Sequence, residues 1–180
     1  MTTGKNFAVA ALAALCAVVA PARSGSPAPD PPRWTLVWAD EFNGNGPPNP
    51  ANWQFERGLV RNEEAQWYQP QNAYCADGHL VIEARREIVR NPKYVAGSTH
   101  WPERQEIADY TSASLTTQGL HQWKYGRFEL RAKVDTRAGL WPAWWTLGAD
   151  GEWPAGGEID ILEYYRQMLL ANVGWGSARR

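Results

Sequence analysis

The stretch 158–163, EIDILE, alternates acidic and aliphatic side chains over its first four residues. Successive side chains of a strand point to opposite faces, so the pattern predicts a strand with Glu158 and Asp160 on one face and the two isoleucines directed into a core. Glu163 falls on the wrong face unless the strand absorbs one extra residue. We therefore predict a β-bulge near Ile161 and Leu162, which brings Glu163 onto the face of the other two acids.

Outward from this stretch, further short runs have the alternation or composition of strands. The clearest half-buried strand pattern is 127–134, where apolar residues at even positions alternate with charged ones. Similar runs lie at 34–38, 80–85, 110–117 and 169–175, and stretches with Pro, Gly or Asp separate several of them, for example 44–50, 91–102 and 135–139. Short strands at such spacing predict an all-β protein built as an antiparallel sandwich or a barrel.

The N-terminus has the pattern of a signal peptide over 1–22. Lys5 precedes an apolar run at 7–20, which is too short to span a bilayer comfortably, and small residues at 20–22 offer a cleavage site. A buried helix, a short anchor or a lipoprotein signal that uses Cys16 are the alternatives. Residues 23–33, rich in Pro, Ser and Ala, predict a linker, and 34–180 predict one domain. We expect a secreted protein.

The net charge limits the classes of binding partner, and the cysteine content limits the role of a thiol. The formal net charge is −1, and no basic run is long enough to indicate binding to nucleic acid or to an anionic membrane. We expect no nucleic-acid partner, no membrane contact after signal removal, and a monomer. Without the signal peptide only Cys75 remains, and we expect it to be a buried thiol rather than a nucleophile.

Three carboxylates in six residues either form a solvated strand face or perform acid–base chemistry. With the bulge, the two glutamate Cα atoms lie roughly 13 Å apart along the strand, which leaves roughly 5–6 Å between the carboxyl groups. That distance fits a retaining glycosidase, where about 5–5.5 Å is expected, and not an inverting one. Trp141, Trp144, Trp145 and Trp153 lie close to the acids in sequence and favour a sugar groove, and Gly156 and Gly157 would let a substrate approach.

The sequence resembles glycoside hydrolase family 16, and within it the laminarinase-like endo-β-1,3-glucanases. The matching stretches are WADEF at 38–42, NEEAQWY at 62–68, YGRFELR at 125–131, WPAWWTLG at 141–148 and GEIDILE at 157–163. The extra residue before Glu163 resembles the bulged form of the family motif, which agarases and carrageenases share with laminarinases. The resemblance implies a β-jelly roll with an open substrate cleft.

The resemblance also implies a role for each site residue. Glu158 would be the nucleophile, Asp160 its assisting residue and Glu163 the acid/base. Sugar contacts are implied, with less specificity, for Asn62, Trp141 and Trp145. No cofactor is required for this chemistry. Family members often carry a structural calcium that uses the N-terminal strand and a C-terminal acid, but we assign no metal ligand here.

The function implied is retaining hydrolysis of internal β-1,3 linkages in a laminarin-like β-glucan. The alternatives are the same mechanism on mixed-linkage glucan or on a galactan, and a glucan-binding protein without catalysis. In the family several strands follow the acid motif, whereas here only 17 residues follow Glu163. We therefore expect a sandwich that is incomplete at its C-terminus, a fragment of a longer protein.

Overall fold

A computed structural model of the chain describes residues 34–176. The predicted signal peptide at 1–22 and linker at 23–33 lie outside these residues. Within 34–176 no helix is long and apolar enough to cross a membrane. The described part contains ten strands, one short α-helix and one 3₁₀ turn at Pro70–Asn72. The all-β prediction is therefore confirmed.

The elements follow one another in short segments along the chain. They are β1 (Gln54–Phe55), β2 (Gln66–Tyr68), β3 (Ala73–Ala76), β4 (His79–Ile82), β5 (Arg85–Arg90), α1 (Trp101–Arg104), β6 (Ile107–Ser112), β7 (Leu115–Thr116), β8 (Ala143–Leu147), β9 (Glu158–Tyr165) and β10 (Met168–Gly174). They form two sheets of three strands, β2-β6-β5 and β10-β9-β8, and two pairs, β1-β7 and β3-β4. β2 runs parallel to β6, and every other pairing of named strands is antiparallel.

The bulge predicted in the acid strand is present. On one side of β9, Trp144 and Trp145 of β8 are consecutive but pair with Leu162 and Asp160, so Ile161 is an extra residue. On the other side the register with β10 also shifts over the same part of β9. A one-residue insertion changes the face of every residue that follows it, so Glu163 returns to the side of Asp160.

A buried polar network joins β6 to the chain around β3. Asn72 and Thr111 are both fully buried. Asn72 Nδ2 donates to Thr111 Oγ1 and to the carbonyl oxygen of Glu83, both at 2.9 Å. Gln69 Nε2 donates to Asn72 Oδ1 at 2.9 Å, and Thr111 Oγ1 donates to Glu87 Oε2 at 2.8 Å. Because these buried groups have partners, the network stabilises the packing instead of opposing it.

Cys75 is buried, as the sequence predicts. Burial, with a smaller contribution from the charge of Asp40, raises the pKa of its thiol, so the reactive thiolate is disfavoured.

Two of the predicted strands are wrong. Residues 34–38 and 127–134 belong to no strand, and Phe128 and Leu130 are 41% and 43% exposed. Alternation states which side chains share a face, but a strand also needs a neighbouring backbone to bond its N–H and C=O groups. None of the named strands pairs with 127–134.

The remaining strand predictions are confirmed with shifted bounds. The run at 80–85 corresponds to the end of β4 and the beginning of β5, the run at 110–117 to β6 and β7, and the run at 169–175 to β10. The predicted burial of Ile159 is wrong, because its side chain is 52% exposed. It lies on the face opposite the acids beside Val173, which is 63% exposed, so the pattern identified the apolar face correctly but not its burial.

Candidate active site

The three acids lie on one face of the sheet β10-β9-β8. Asp160 in the central strand lies between Trp145 of β8 and Asn172 of β10, and cross-strand partners point to the same face. Glu158 lies two residues before Asp160, and the bulge returns Glu163 to the same face. The face carrying these carboxylates is called the acid face below. The sequence prediction that the three acids converge is thus confirmed by strand register.

Glu158 is held by an indole from the connection between β8 and β9. Trp153 Nε1 donates to Glu158 Oε2 at 2.7 Å. On the other side of the strand, Glu158 lies opposite Gly174 of β10. A Cβ added to Gly174 would lie 3.6 Å from Glu158 Cβ, so glycine leaves open space beside the carboxylate. Glu158 is therefore fixed at one oxygen and has room at its side.

Glu163 receives one donor on each oxygen. Trp141 Nε1 donates to Oε1 at 3.1 Å, and Asn172 Nδ2 donates to Oε2 at 3.1 Å. The donors come from two different elements, the segment before β8 and the strand β10. The ring of Trp141 also lies 4.9 Å from the ring of Tyr165 on the same strand as Glu163. Both the position of the carboxyl group and its plane are thereby restrained.

Trp145 connects the acid face to the rest of the molecule through Arg61. The guanidinium carbon of Arg61 lies 5.4 Å from the ring centroid of Trp145 and 5.7 Å from that of Tyr68 in β2. Arg61 also forms an ion pair with Glu56. Burial alone would lower the pKa of Arg61, but the hydrogen bond and charge of Glu56 outweigh it and raise the pKa. The guanidinium stays charged, as a cation–π contact requires.

Asn62, predicted as a sugar contact, follows Arg61 directly. It is exposed and has a positive φ of 55°. Asparagine tolerates this left-handed conformation better than most residues. Since Arg61 contacts Trp145, the turn that carries Asn62 is held near the β8 side of the acid face. The structure thus brings two of the predicted sugar contacts to the acids, Trp141 by a hydrogen bond and Trp145 by strand pairing, whereas a role for Asn62 stays a prediction.

The glycines before the acid strand are required by close backbone packing, and the approach of a substrate at Gly156 and Gly157 stays a prediction. A Cβ at Gly148 would overlap the carbonyl oxygen of Gly156, and a Cβ at Gly156 would lie 3.1 Å from the carbonyl oxygen of Asp150. Gly157 has φ +81° and bonds to Gly148 through its carbonyl oxygen at 3.0 Å. The glycines allow the connection 148–157 to fold back on its own backbone. This close packing of the connection positions Trp153 beside Glu158.

No group of three or more His, Cys, Asp or Glu side chains within 34–176 has the arrangement of a metal site. Asp40, in the N-terminal segment, instead accepts hydrogen bonds from protein donors: Asn52 Nδ2 and Trp53 Nε1 at 2.9 Å and Phe42 N at 3.0 Å. Its carboxylate oxygens are thereby engaged in joining two loops.

Three residues of the site were not singled out from the sequence as site residues: Trp153, Arg61 and Asn172. Trp153 was noted only as one of four tryptophans close to the acids in sequence, and Arg61 and Asn172 gave no signal of their own. Asn172 would have been recognisable only from the β9–β10 register, which places it opposite Asp160. Register depends on the pairing of distant segments and on the bulge, so a single strand pattern does not contain it.

Comparison with known proteins identifies the family of the chain. Residues 115–174 match the family model described as XgeA-like, catalytic GH16 domain. A β-glucanase of Rhodothermus marinus is 39% identical over 143 residues, which are 74% of this chain and 44% of that relative. The chain belongs to glycoside hydrolase family 16. Its fold is the family's β-sandwich jelly roll with open sheets, as the sequence predicts.

Solved structures of similar chains support the family 16 fold. The catalytic domain of an endo-1,3-β-glucanase (laminarinase) from Thermotoga petrophila has a TM-score of 0.67 at 35% identity, and the match covers 80% of this chain and 57% of that one. A structure from work on endo-acting O-glycanases with which prominent human gut bacteria initiate mucin breakdown has a TM-score of 0.73 at 37% identity, covering 81% and 56%. The family 16 chain thus spans little more than half of these solved chains.

Proposed function

We propose that the protein is a retaining glycoside hydrolase that cleaves internal β-1,3 linkages of a β-glucan by double displacement. One observation carries the proposal. Glu158 and Glu163 share the acid face across a bulge, and each accepts an indole N–H, from Trp153 and Trp141 respectively. Two carboxylates held on one surface beside aromatic rings match the requirement for attack and proton transfer at a sugar.

In this mechanism Glu158 attacks the anomeric carbon through a carboxylate oxygen, and the bond to the leaving oxygen breaks. Glu163 gives its proton to that oxygen and becomes a carboxylate. A water molecule then attacks the anomeric carbon, Glu163 takes a proton from it, and the bond to Glu158 breaks. Asp160 lies between the two glutamates on the same face, where it can orient Glu158.

The geometry supports this division of roles. Glu158 accepts a hydrogen bond from Trp153 on Oε2, and the neighbouring Gly174 leaves space at its side, as a nucleophile requires. Glu163 has a donor on each oxygen, so its carboxyl plane stays fixed while a proton is lost and regained. The bulge is present, and it is the feature from which the sequence predicts roughly 5–6 Å between the two carboxyl groups, close to the roughly 5–5.5 Å of retaining enzymes.

The substrate class is supported by the relatives and by the aromatic rings. The relative from Rhodothermus marinus is named a β-glucanase and the structure from Thermotoga petrophila an endo-1,3-β-glucanase. Trp141 and Trp145 offer flat apolar rings at the acid face, with Asn62 as a proposed polar contact. The likeness to a structure from work on O-glycanases that initiate mucin breakdown favours testing mucin O-glycans as a second substrate class, beside a galactan. Mixed-linkage glucan is a third candidate substrate, and binding of glucan without cleavage is the candidate function outside catalysis.

We further propose that the protein is secreted and acts as a monomer without a cofactor. The signal-peptide pattern at 1–22 supports secretion. The chemistry needs only two carboxyl groups and water, so no metal or organic group is required for it.

The experiment measures reducing ends released from laminarin, lichenan, agarose and mucin O-glycans by the full chain, with Glu158→Gln as the control. We expect release from laminarin above all and a loss of about 10⁴-fold or more in the variant. Proton NMR of the first product should show the β-anomer, because double displacement retains configuration. Equal release by wild type and variant would exclude catalysis, a first-formed α-anomer would exclude the double displacement, and greater release from another polymer would reassign the substrate.

A further inference from the structure

The two glutamates of the acid face differ in how their oxygens are occupied. Within the described residues, Glu158 accepts a side-chain hydrogen bond on Oε2 only, and the donor is Trp153. For Glu163, Oε1 accepts from Trp141 Nε1 and Oε2 accepts from Asn172 Nδ2. The second donor on Glu163 is therefore what distinguishes the two sites, and it comes from β10, a strand to which the mechanism above assigns no catalytic role.

Asn172 is placed for this contact by the sheet. It is the cross-strand partner of Asp160, so its side chain lies on the acid face. Because β9 is bulged, Glu163 comes back to the same face within reach of the amide, 3.1 Å from Nδ2 to Oε2. Without the bulge the two groups would point to opposite sides of the sheet.

The donor on Oε2 has a chemical consequence. An acid/base residue alternates between a carboxylic acid and a carboxylate, and only one of its two oxygens carries the proton in the acid form. An amide N–H is a good partner for a carboxylate oxygen or for the carbonyl oxygen of the acid. Trp141 Nε1 donates to Oε1 at the same distance of 3.1 Å, so the two donors together hold the plane of the carboxyl group rather than select the oxygen that is protonated.

We propose that Asn172 is a positioning residue that holds Oε2 of Glu163 in both protonation states and so keeps the carboxyl group in the orientation that proton transfer needs. The proposal rests on the proposed function, because it assigns Glu163 the acid/base role. Oε1 lies beside Trp141, one of the aromatic rings proposed to contact sugar. In the first step the proton leaves the Glu163 carboxyl group for the leaving oxygen, and in the second the Glu163 carboxylate takes a proton from water. Asn172 neither gains nor loses a proton in either step.

Asn172→Leu tests the proposal, because leucine has nearly the same size and no donor. We expect kcat on laminarin to fall roughly 10- to 100-fold, since a hydrogen bond to a charged group contributes about 1.5–3 kcal/mol. KM should change by less than about twofold. With a 2,4-dinitrophenyl glycoside of a β-1,3-glucan oligosaccharide, whose leaving group needs no proton, the pre-steady-state burst should slow by less than about threefold.

The leaving-group dependence separates positioning from a structural role. An equal loss on laminarin and in the dinitrophenyl burst would overturn the proposal, because general destabilisation of the site slows both. Val173→Ala is the matched control, since it is the next residue of β10, faces away from the acids and is 63% exposed. It should leave both rates within about twofold.

A second readout does not depend on activity. Crystal structures of wild type and Asn172→Leu should show the Glu163 carboxyl group rotated in the variant, while the bond from Trp153 to Glu158 stays in place. An unchanged Glu163 would overturn the proposal even if no glycan is cleaved. Conversely, if wild type and Glu158→Gln release equal product, the proposed function fails while the two crystal structures still decide whether Asn172 orients Glu163.

Discussion

The sheets β2-β6-β5 and β10-β9-β8 use the same polar residue in opposite ways. Around the first sheet, Asn72 is fully buried and bonds to Thr111, Gln69 and the backbone of Glu83. On the second, Asn172 is exposed and bonds to one oxygen of Glu163. A buried amide must have partners because unpaired groups are costly there. An exposed amide can always bond to water, so its contact with Glu163 orients that side chain and adds little stability.

The difference extends to the neighbourhoods of the two residues. Side chains around Asn72 form their hydrogen bonds with other groups of the protein. These bonds stabilise the fold and leave the polar groups paired. On the acid face, donors restrain Glu158 and Glu163 while both remain accessible from the open side of the sheet. We therefore expect substitutions near Asn72 to change stability and substitutions on the acid face to change activity.

The largest expected effect on the acid face comes from Glu158→Gln. Loss of the nucleophile should lower kcat about 10⁴-fold or more, because no covalent intermediate can form. The free energy of unfolding should change by less than about 0.5 kcal/mol, since this residue is only partly buried on an open face. Steady-state kinetics and urea unfolding of the full chain measure the two quantities. A destabilisation of several kcal/mol would contradict the separation of the two regions.

The largest expected effect on stability comes from Asn72→Ala. It leaves the Thr111 hydroxyl and the Glu83 carbonyl without the amide donor and opens a gap, which should cost about 2–4 kcal/mol. Urea unfolding checks this value. Asn172→Ala is the matched control with the same substitution, and we expect it to change stability by less than about 0.5 kcal/mol while lowering kcat. Similar losses of stability in both variants would contradict the proposed difference between Asn72 and Asn172.

Arg61→Met should have a smaller effect that reaches both regions. It removes the cation from the ring of Trp145 and the ion partner of Glu56, while keeping a long apolar side chain. We expect kcat/KM to fall roughly three- to tenfold, in line with about 1 kcal/mol for a cation–π contact. Arg61→Lys keeps the charge but loses the planar group, so it should recover only part of the loss. Full activity of Arg61→Met would show that activity does not depend on the contact between Arg61 and Trp145.

The smallest expected effect is a pH dependence at Asp40. Burial acts to raise the pKa of Asp40, but hydrogen bonds from Asn52, Phe42 and Trp53 outweigh it, so the pKa lies below its ordinary value. A carboxyl group with a lowered pKa contributes stability that is present above its unfolded pKa and is lost as pH falls through its folded pKa. The stability difference between wild type and Asp40→Asn should therefore shrink between about pH 6 and about pH 2. A difference that stays constant over this range would contradict the assignment.

Much of the acid face could be predicted from the sequence, because its geometry is local. The alternation in 158–163 set the faces of Glu158 and Asp160, and the one-residue offset of Glu163 required a bulge, which is present at Ile161. Trp141 and Trp145 were recognisable as neighbours of the acids for the same reason, since they lie in the adjoining strand and its lead-in.

Other features could not be predicted because they depend on distant segments. The same alternation at 127–134 predicted a strand that has no partner among the named strands, and the apolar pattern at Ile159 predicted burial where the side chain is 52% exposed. Pattern alone determined which residues share a face, since that follows from backbone geometry. Which residues meet was decided only by the tertiary structure: register brought Asn172 to Glu163, loop packing brought Trp153 to Glu158, and the connection between β1 and β2 brought Arg61 to Trp145.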